Sequence, residues 1–143
     1  KDFREFSTPE IYIERENHVI DTTIIEDNGT YYRFSKDETT TLIRMDCGED
    51  LNGKFTEIKS ETLDELYGVE GPEAYYISEQ NAWCLIVDQF ASQKGYLPLL
   101  CKDLSTGVFQ IKEPGSYDLG GIKKRHGSVV ALREEEYRRL ETI

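Results

Sequence analysis

The chain has 143 residues, 38% of them hydrophobic, and 28 acidic against 17 basic side chains give a net charge of -11. That length suits one domain with roughly two-thirds of its unfolded surface buried, and the negative charge repels a phosphate backbone, which argues against nucleic acid as a partner. No apolar run approaches the roughly 20 residues of a membrane helix, so no membrane partner is expected.

The chain opens at Lys1-Asp2-Phe3 without Met or an apolar leader core, which reads as a processed chain or a piece of something longer. From there the pattern is mostly β. Apolar and β-branched runs at Val19–Ile25, Tyr31–Phe34, Thr40–Met45, Ala74–Ile77, Trp83–Val87, Leu97–Cys101, Val108–Ile111 and Ser128–Leu132 are separated by turn clusters. Asn28-Gly29 between the first two is a hairpin signal, because both positions tolerate positive φ. Glu79-Gln80-Asn81 does the same before Trp83, which reads as core packing. Two short helices are expected. Ser60–Tyr67 places Leu63, Leu66 and Tyr67 on one face before Gly68, and Arg133–Leu140 carries Glu134/Arg138 and Glu135/Arg139 at i,i+4. The three cysteines, Cys47, Cys84 and Cys101, lack metal-ligand spacing, and Cys84 and Cys101 fall on consecutive strands.

Overlaying the strand runs exposes a repeat. One unit starts at Asp21 and a second at Glu70; a third opens near His126. Each is about four strands of meander, the size of a propeller blade. The expectation is an all-β, incomplete five-bladed propeller of about three blades. Residues 1–16 end a preceding blade, 17–59 and 69–112 are blades, and 117–143 form the last one. A β-sandwich fits the same strand count.

The repeat sets Asp21, Glu70 and His126 at comparable places, the start of the innermost strand of successive blades. Glu70 lies in Val69-Glu70-Gly71-Pro72, where Gly frees the backbone and Pro removes a donor. It therefore reads as a carboxylate fixed in a rigid turn, off the strand ladder. The loops 35–39 and 88–95 should rim the same end, which makes Lys36, Asp37, Asp88 and Gln89 candidate ligand contacts or plain solvated charges.

The runs Val19–Ile25, Asn28–Glu38, Glu70-Gly71-Pro72, Leu85–Phe90 and Arg125–Val129 resemble glycoside hydrolase family 43. That family contains β-xylosidases, α-L-arabinofuranosidases and arabinanases on a five-bladed propeller. The resemblance implies inverting hydrolysis of arabinose- or xylose-containing oligo- or polysaccharides by three carboxylates. Glu70 matches the general acid, and Asp21 matches the Asp that tunes and orients it. His126 matches a histidine near the channel that holds water or a metal ion in relatives. Arg125, His126, Asp88, Gln89, Lys36 and Asp37 are the substrate-binding candidates. No residue matches the general base, so the chain alone should be inactive. The resemblance requires no cofactor and leaves room for a calcium ion in the channel. Localisation stays open, with an extracellular or periplasmic place favoured over a cytoplasmic one.

A general acid at neutral pH needs a raised pKa, which a second carboxylate nearby would supply. Inversion also needs acid and base roughly 6.5–9.5 Å apart. Two other readings stand beside this one: a non-catalytic carbohydrate-binding or structural propeller module, and a β-sandwich interaction domain. A Ser or Cys hydrolase is disfavoured, because His18 and His126 are the only histidines and neither sits in a nucleophile elbow. Exposed blade faces predict self-association.

Overall fold

β1 (Val19–Asp27) turns through Asn28-Gly29 into β2 (Thr30–Asp37), with φ of +51° and +83° at the two turn residues. Both positive values are what a two-residue hairpin turn requires, as the sequence indicated. β3 (Leu42–Gly48) and the short β4 (Thr56–Ile58) complete an antiparallel sheet in the order β1-β2-β3-β4. β5 (Glu70–Ile77), β6 (Ala82–Asp88), β7 (Tyr96–Cys101) and β8 (Gln110–Ile111) repeat the pattern as a second four-stranded meander. The turn from β5 to β6 is a 3-10 turn, Ser78–Gln80, closed by Asn81 at φ +47°. This architecture is a computed structural model that describes residues 3–142.

The two sheets bury a common core. Tyr32, Phe34, Ile43 and Met45 face inward from the first, and Ala74, Leu85, Val87, Leu97 and Leu99 from the second. Phe34, fully buried, meets Phe109 edge to face with centroids 6.2 Å apart. Burying one such ring stabilises the fold by about 1.5–3 kcal/mol. The outer faces differ in chemistry. On the first sheet, Arg33 and Asp46 pair at 3.1 Å, Arg15 adds a second guanidinium to Asp46 at 2.6 Å, and the Phe55 ring lies 4.2 Å from the Arg33 guanidinium. On the second sheet, Cys84, Ile86 and Tyr96 form a separate apolar cluster with Tyr75, Ile77, Leu100 and Leu119.

α1 (Glu61–Glu65) is shorter than the expected Ser60–Tyr67. The Ser60 hydroxyl caps it, accepting from the Leu63 N–H at 3.3 Å, and Leu63 is buried as expected. The chain leaves helical geometry at Leu66, so Tyr67 misses the buried face and stands 67% exposed. The second expected helix is present as α2 (Glu134–Leu140), with the Arg138–Glu134 pair at 2.8 Å. The expected strand Ser128–Leu132 does not form: among the described residues 112–133 are neither strand nor helix. A strand needs a neighbour's free edge, and this segment instead runs over the outer face of the second sheet, where Leu119 packs with Cys84, Ile86 and Tyr96 and the Val129 N–H reaches Glu73. Cys84 and Cys101 do lie on adjacent strands, but they point to opposite faces, and all three thiols are free. Among the described residues no helix is long and apolar enough to cross a membrane.

Candidate active site

The first strand of each sheet, β1 and β5, breaks its ladder at the same place. In β1, Ile20 pairs Lys36 and Thr23 pairs Phe34, so Asp21-Thr22 opposes Ser35 alone. In β5, Glu70 pairs Asp88 and Glu73 pairs Ile86, so Gly71-Pro72 opposes Val87 alone. Each is a bulge of one extra residue, and its first residue has positive φ: +49° at Asp21 and +53° at Gly71. Register therefore equates Asp21 with Gly71 and Ile20 with Glu70, which corrects the direct equivalence of Asp21 and Glu70. Glu70 is also a ladder residue, and the rigid turn begins after it.

The bulge still brings the two acids together. It frees the Gly71 N–H from the ladder, and the Asp21 carboxylate of the other sheet accepts it at 3.1 Å. His126 packs its ring against Gly71, so close that a Cβ there would lie 3.0 Å from ring atoms. One ligand atom from each of Asp21, Glu70 and His126 falls within 4.8 Å of the others. The three residues singled out in the sequence thus converge.

Glu70 is surrounded by nitrogen. Its Oε2 accepts from Lys36 Nζ at 2.9 Å, while Oε1 faces His126 Nε2 at 3.0 Å and accepts from Arg125 at 3.1 Å. Lys36 sits in β2, in phase with inward-facing Tyr32 and Phe34, and not in a rim loop as expected. Its ammonium, 3% exposed, also pairs Glu38 at 2.6 Å and lies 4.3 Å from the centre of the Phe90 ring. Burial alone would raise the Glu70 pKa, but the hydrogen bonds and charges of Lys36 and His126 outweigh it, and the net shift is downward. The expected upward shift is thereby corrected. The Lys36 shift agrees: burial pulls it down, Glu38 and Glu70 overcome that, and the ammonium is held above its ordinary value.

Asp88, also a strand residue, is fully buried and accepts from Arg125 Nε at 2.7 Å, with its Oδ1 unpartnered. Arg125 thus bridges Asp88 and Glu70. Asp37 and Gln89 do not join the group. Asp37 is a turn cap, accepting from Asn17 and the N–H groups of Thr39 and Thr40, and Gln89 closes its own loop onto Gly95 O. Trp83 lies against the core and donates to Asp27 at 3.3 Å, as core packing predicts.

Three site residues went unnoticed in the sequence. Glu38 and Phe90 hold Lys36, and Glu73 accepts from Thr23 Oγ1 and from the Val129 N–H, both at 3.2 Å. The available signal was parity: Lys36 occupies an inward slot of β2 where an apolar residue belongs, so it needed buried counter-charges.

Asp21, Glu70 and His126 could together hold a metal ion, but a cation there would compete with Lys36 and Arg125, which already occupy Glu70.

Residues 1–138 match the family model described as a probable glycosyl hydrolase domain, related to glycoside hydrolase family 43. The chain belongs to this family. The match spans both sheets and the crossing segment, so the bulges, the buried lysine and the Arg125-His126 pair are all features of a glycosyl hydrolase-related domain. No curated protein and no solved structure matches the chain.

Proposed function

We propose that this domain acts in a glycosidase for arabinose- or xylose-containing oligo- or polysaccharides, working by inversion, with Glu70 as the carboxylate that meets the glycosidic bond. The observation that carries this reading is the convergence of Asp21, Glu70 and His126 at the paired bulges of β1 and β5. Asp21 orients the site by holding the Gly71 N–H and thus the backbone beside Glu70. Arg125 and His126 are half-exposed beside Glu70, where sugar hydroxyls would compete for its Oε1. To act as the general acid, Glu70 must first gain a proton, and so must lose part of its cationic surround. A negative base carboxylate across the substrate would favour that change.

The base is not among the neighbours described. Asp88 is engaged by Arg125, Glu73 by Thr23 and Val129, and Asp21 by Gly71. The isolated chain should therefore bind pentosides without hydrolysing them. A second reading, non-catalytic carbohydrate binding, draws on the low Glu70 pKa, since a carboxylate held charged is a good hydroxyl acceptor and a poor acid.

Titration of the labelled chain with xylo- and arabino-oligosaccharides, followed by amide and imidazole NMR, tests the site. Shifts centred on Glu70, Arg125 and His126, lost in Arg125→Ala, are expected, with no turnover of aryl xyloside or arabinofuranoside. Absence of any shift at millimolar sugar overturns the saccharide reading, and turnover by the isolated chain overturns the missing base.

A further inference from the structure

The two oxygens of Glu70 have unequal surroundings. Oε2 is tied to Lys36, whose side chain is 3% exposed and reaches across from the first sheet. Oε1 is tied to Arg125 and His126, which are 56% and 48% exposed and belong to a segment without regular structure. A ligand arriving from solvent can displace the second pair but not the first.

We propose that Lys36 is the positioning residue of this site: its buried ammonium fixes one oxygen of Glu70 and leaves Oε1 as the contact for a ligand hydroxyl. This deepens the saccharide-binding part of the proposed function, common to both readings, and rests on it for the identity of the ligand, but not for the geometry. Lys36 suits the task because each of its directions is filled. Glu38 at 2.6 Å and Glu70 at 2.9 Å take its protons, and the Phe90 ring covers it. A buried ammonium held this way is costly to release, since unpairing a buried charge leaves it without solvent or partner. The lock also crosses the two sheets, so the orientation of Glu70 depends on their packing. A ligand hydroxyl is offered one oxygen in one orientation, which selects for a single donor placed in line with Oε1.

The charged groups around Glu70 are Lys36 and Asp21 from the first sheet, Glu73 and Asp88 from the second, and Arg125 and His126 from the crossing segment. Lys36 is the only cation among them held in a strand. It should therefore set Glu70 even when the segment is displaced.

The test uses the free protein and needs no saccharide. In lysine-¹⁵N-labelled chain, the Lys36 ammonium protons should exchange slowly enough to be seen, and Glu70→Gln should move that signal. In carboxyl-¹³C-labelled chain, Lys36→Met should raise the Glu70 titration midpoint by at least one unit, a tenfold change in proton affinity, while Lys36→Arg restores most of the wild-type value. A folded Lys36→Met with an unmoved Glu70 midpoint overturns the proposal. Should Lys36→Met not fold, a fast-exchanging Lys36 ammonium indifferent to Glu70→Gln overturns it in the otherwise native chain. A failed saccharide titration leaves both readouts untouched, so the two proposals fail separately.

Discussion

Gly71 shows how much one backbone position carries. At φ +53° an L side chain is strained, and the space a Cβ would enter is already taken by the His126 ring at 3.0 Å. Gly71→Ala should therefore destabilise the domain by about 1–3 kcal/mol, the usual cost of a strained backbone residue. It should also push His126 off Glu70. Urea denaturation reads the first effect and the His126 ring shifts read the second; an alanine variant with native stability and an unmoved imidazole would contradict the contact. The sequence showed that Gly71-Pro72 interrupts the ladder, and it selected Asp21, Glu70 and His126 correctly as residues that meet. It could not show their offset. A bulge adds one residue to one strand, and an overlay of apolar runs absorbs that residue silently, so Asp21 was matched to Glu70 when register matches it to Gly71. The direction of the Glu70 pKa was hidden for a related reason. Asp21 is legible as a neighbour that would raise it, whereas Lys36 reads as a loop charge in the sequence and lies in β2, which extends through Asp37.

At the scale of elements, strands with local partners were legible and the segment without one was not. Asn28-Gly29 and the Glu79–Asn81 turn place their flanking strands directly, because a tight turn forces its neighbours to pair. Ser128–Leu132 has the same β-branched composition but follows no such turn. It is held instead by side chains: Arg125 on Asp88 and Glu70, Val129 N–H on Glu73, and Gly127 O beneath the Tyr96 hydroxyl. Anchors made of carboxylates make this attachment pH-dependent. The folded Glu70 pKa lies below the ordinary value of about 4.3. Its contribution is therefore fully present above that ordinary value and is lost as pH falls through the lower folded one. Arg125 stays charged throughout, so the change belongs to the acids. The Ser128 and Val129 resonances should keep their anchored values down to about pH 5 and move toward mobile-chain values only in more acidic solution, while the core signals of Phe34 and Leu99 remain. Detachment already complete well above the ordinary carboxylate range would contradict a carboxylate anchor.

For the whole molecule, the contrast between the outer faces of the two sheets decides how the domain meets its surroundings. The outer face of the first sheet is closed by ion pairs: Arg33 lies between Asp46 and the Phe55 ring, and Arg15 completes the pair from the N-terminal side. Breaking such a cluster strands a buried charge, so this face resists any new partner. The outer face of the second sheet has no charge at its centre. Cys84, Ile86 and Tyr96 are buried, with Leu119 and Gly127 of the crossing segment against them, while Tyr75, Ile77 and Leu100 are only half-buried. A contiguous apolar patch of this kind favours association. The chain should therefore self-associate through the second sheet, with a sedimentation coefficient that rises with concentration at neutral pH. Leu100→Glu is the sharpest test, because Leu100 lies on β7 within the patch and outside the inter-sheet core, and pairs with Cys84 across the ladder. Its carboxylate should return the chain to monomer with little loss of stability, whereas the same charge placed at inward-facing Leu99 would unfold it. A monomer at all concentrations, or a dimer indifferent to Leu100→Glu, would mean that the crossing segment covers this face better than its contacts indicate. The net charge of -11 opposes association at low salt, so the dimer should strengthen as ionic strength rises, the reverse of an interface built on ion pairs.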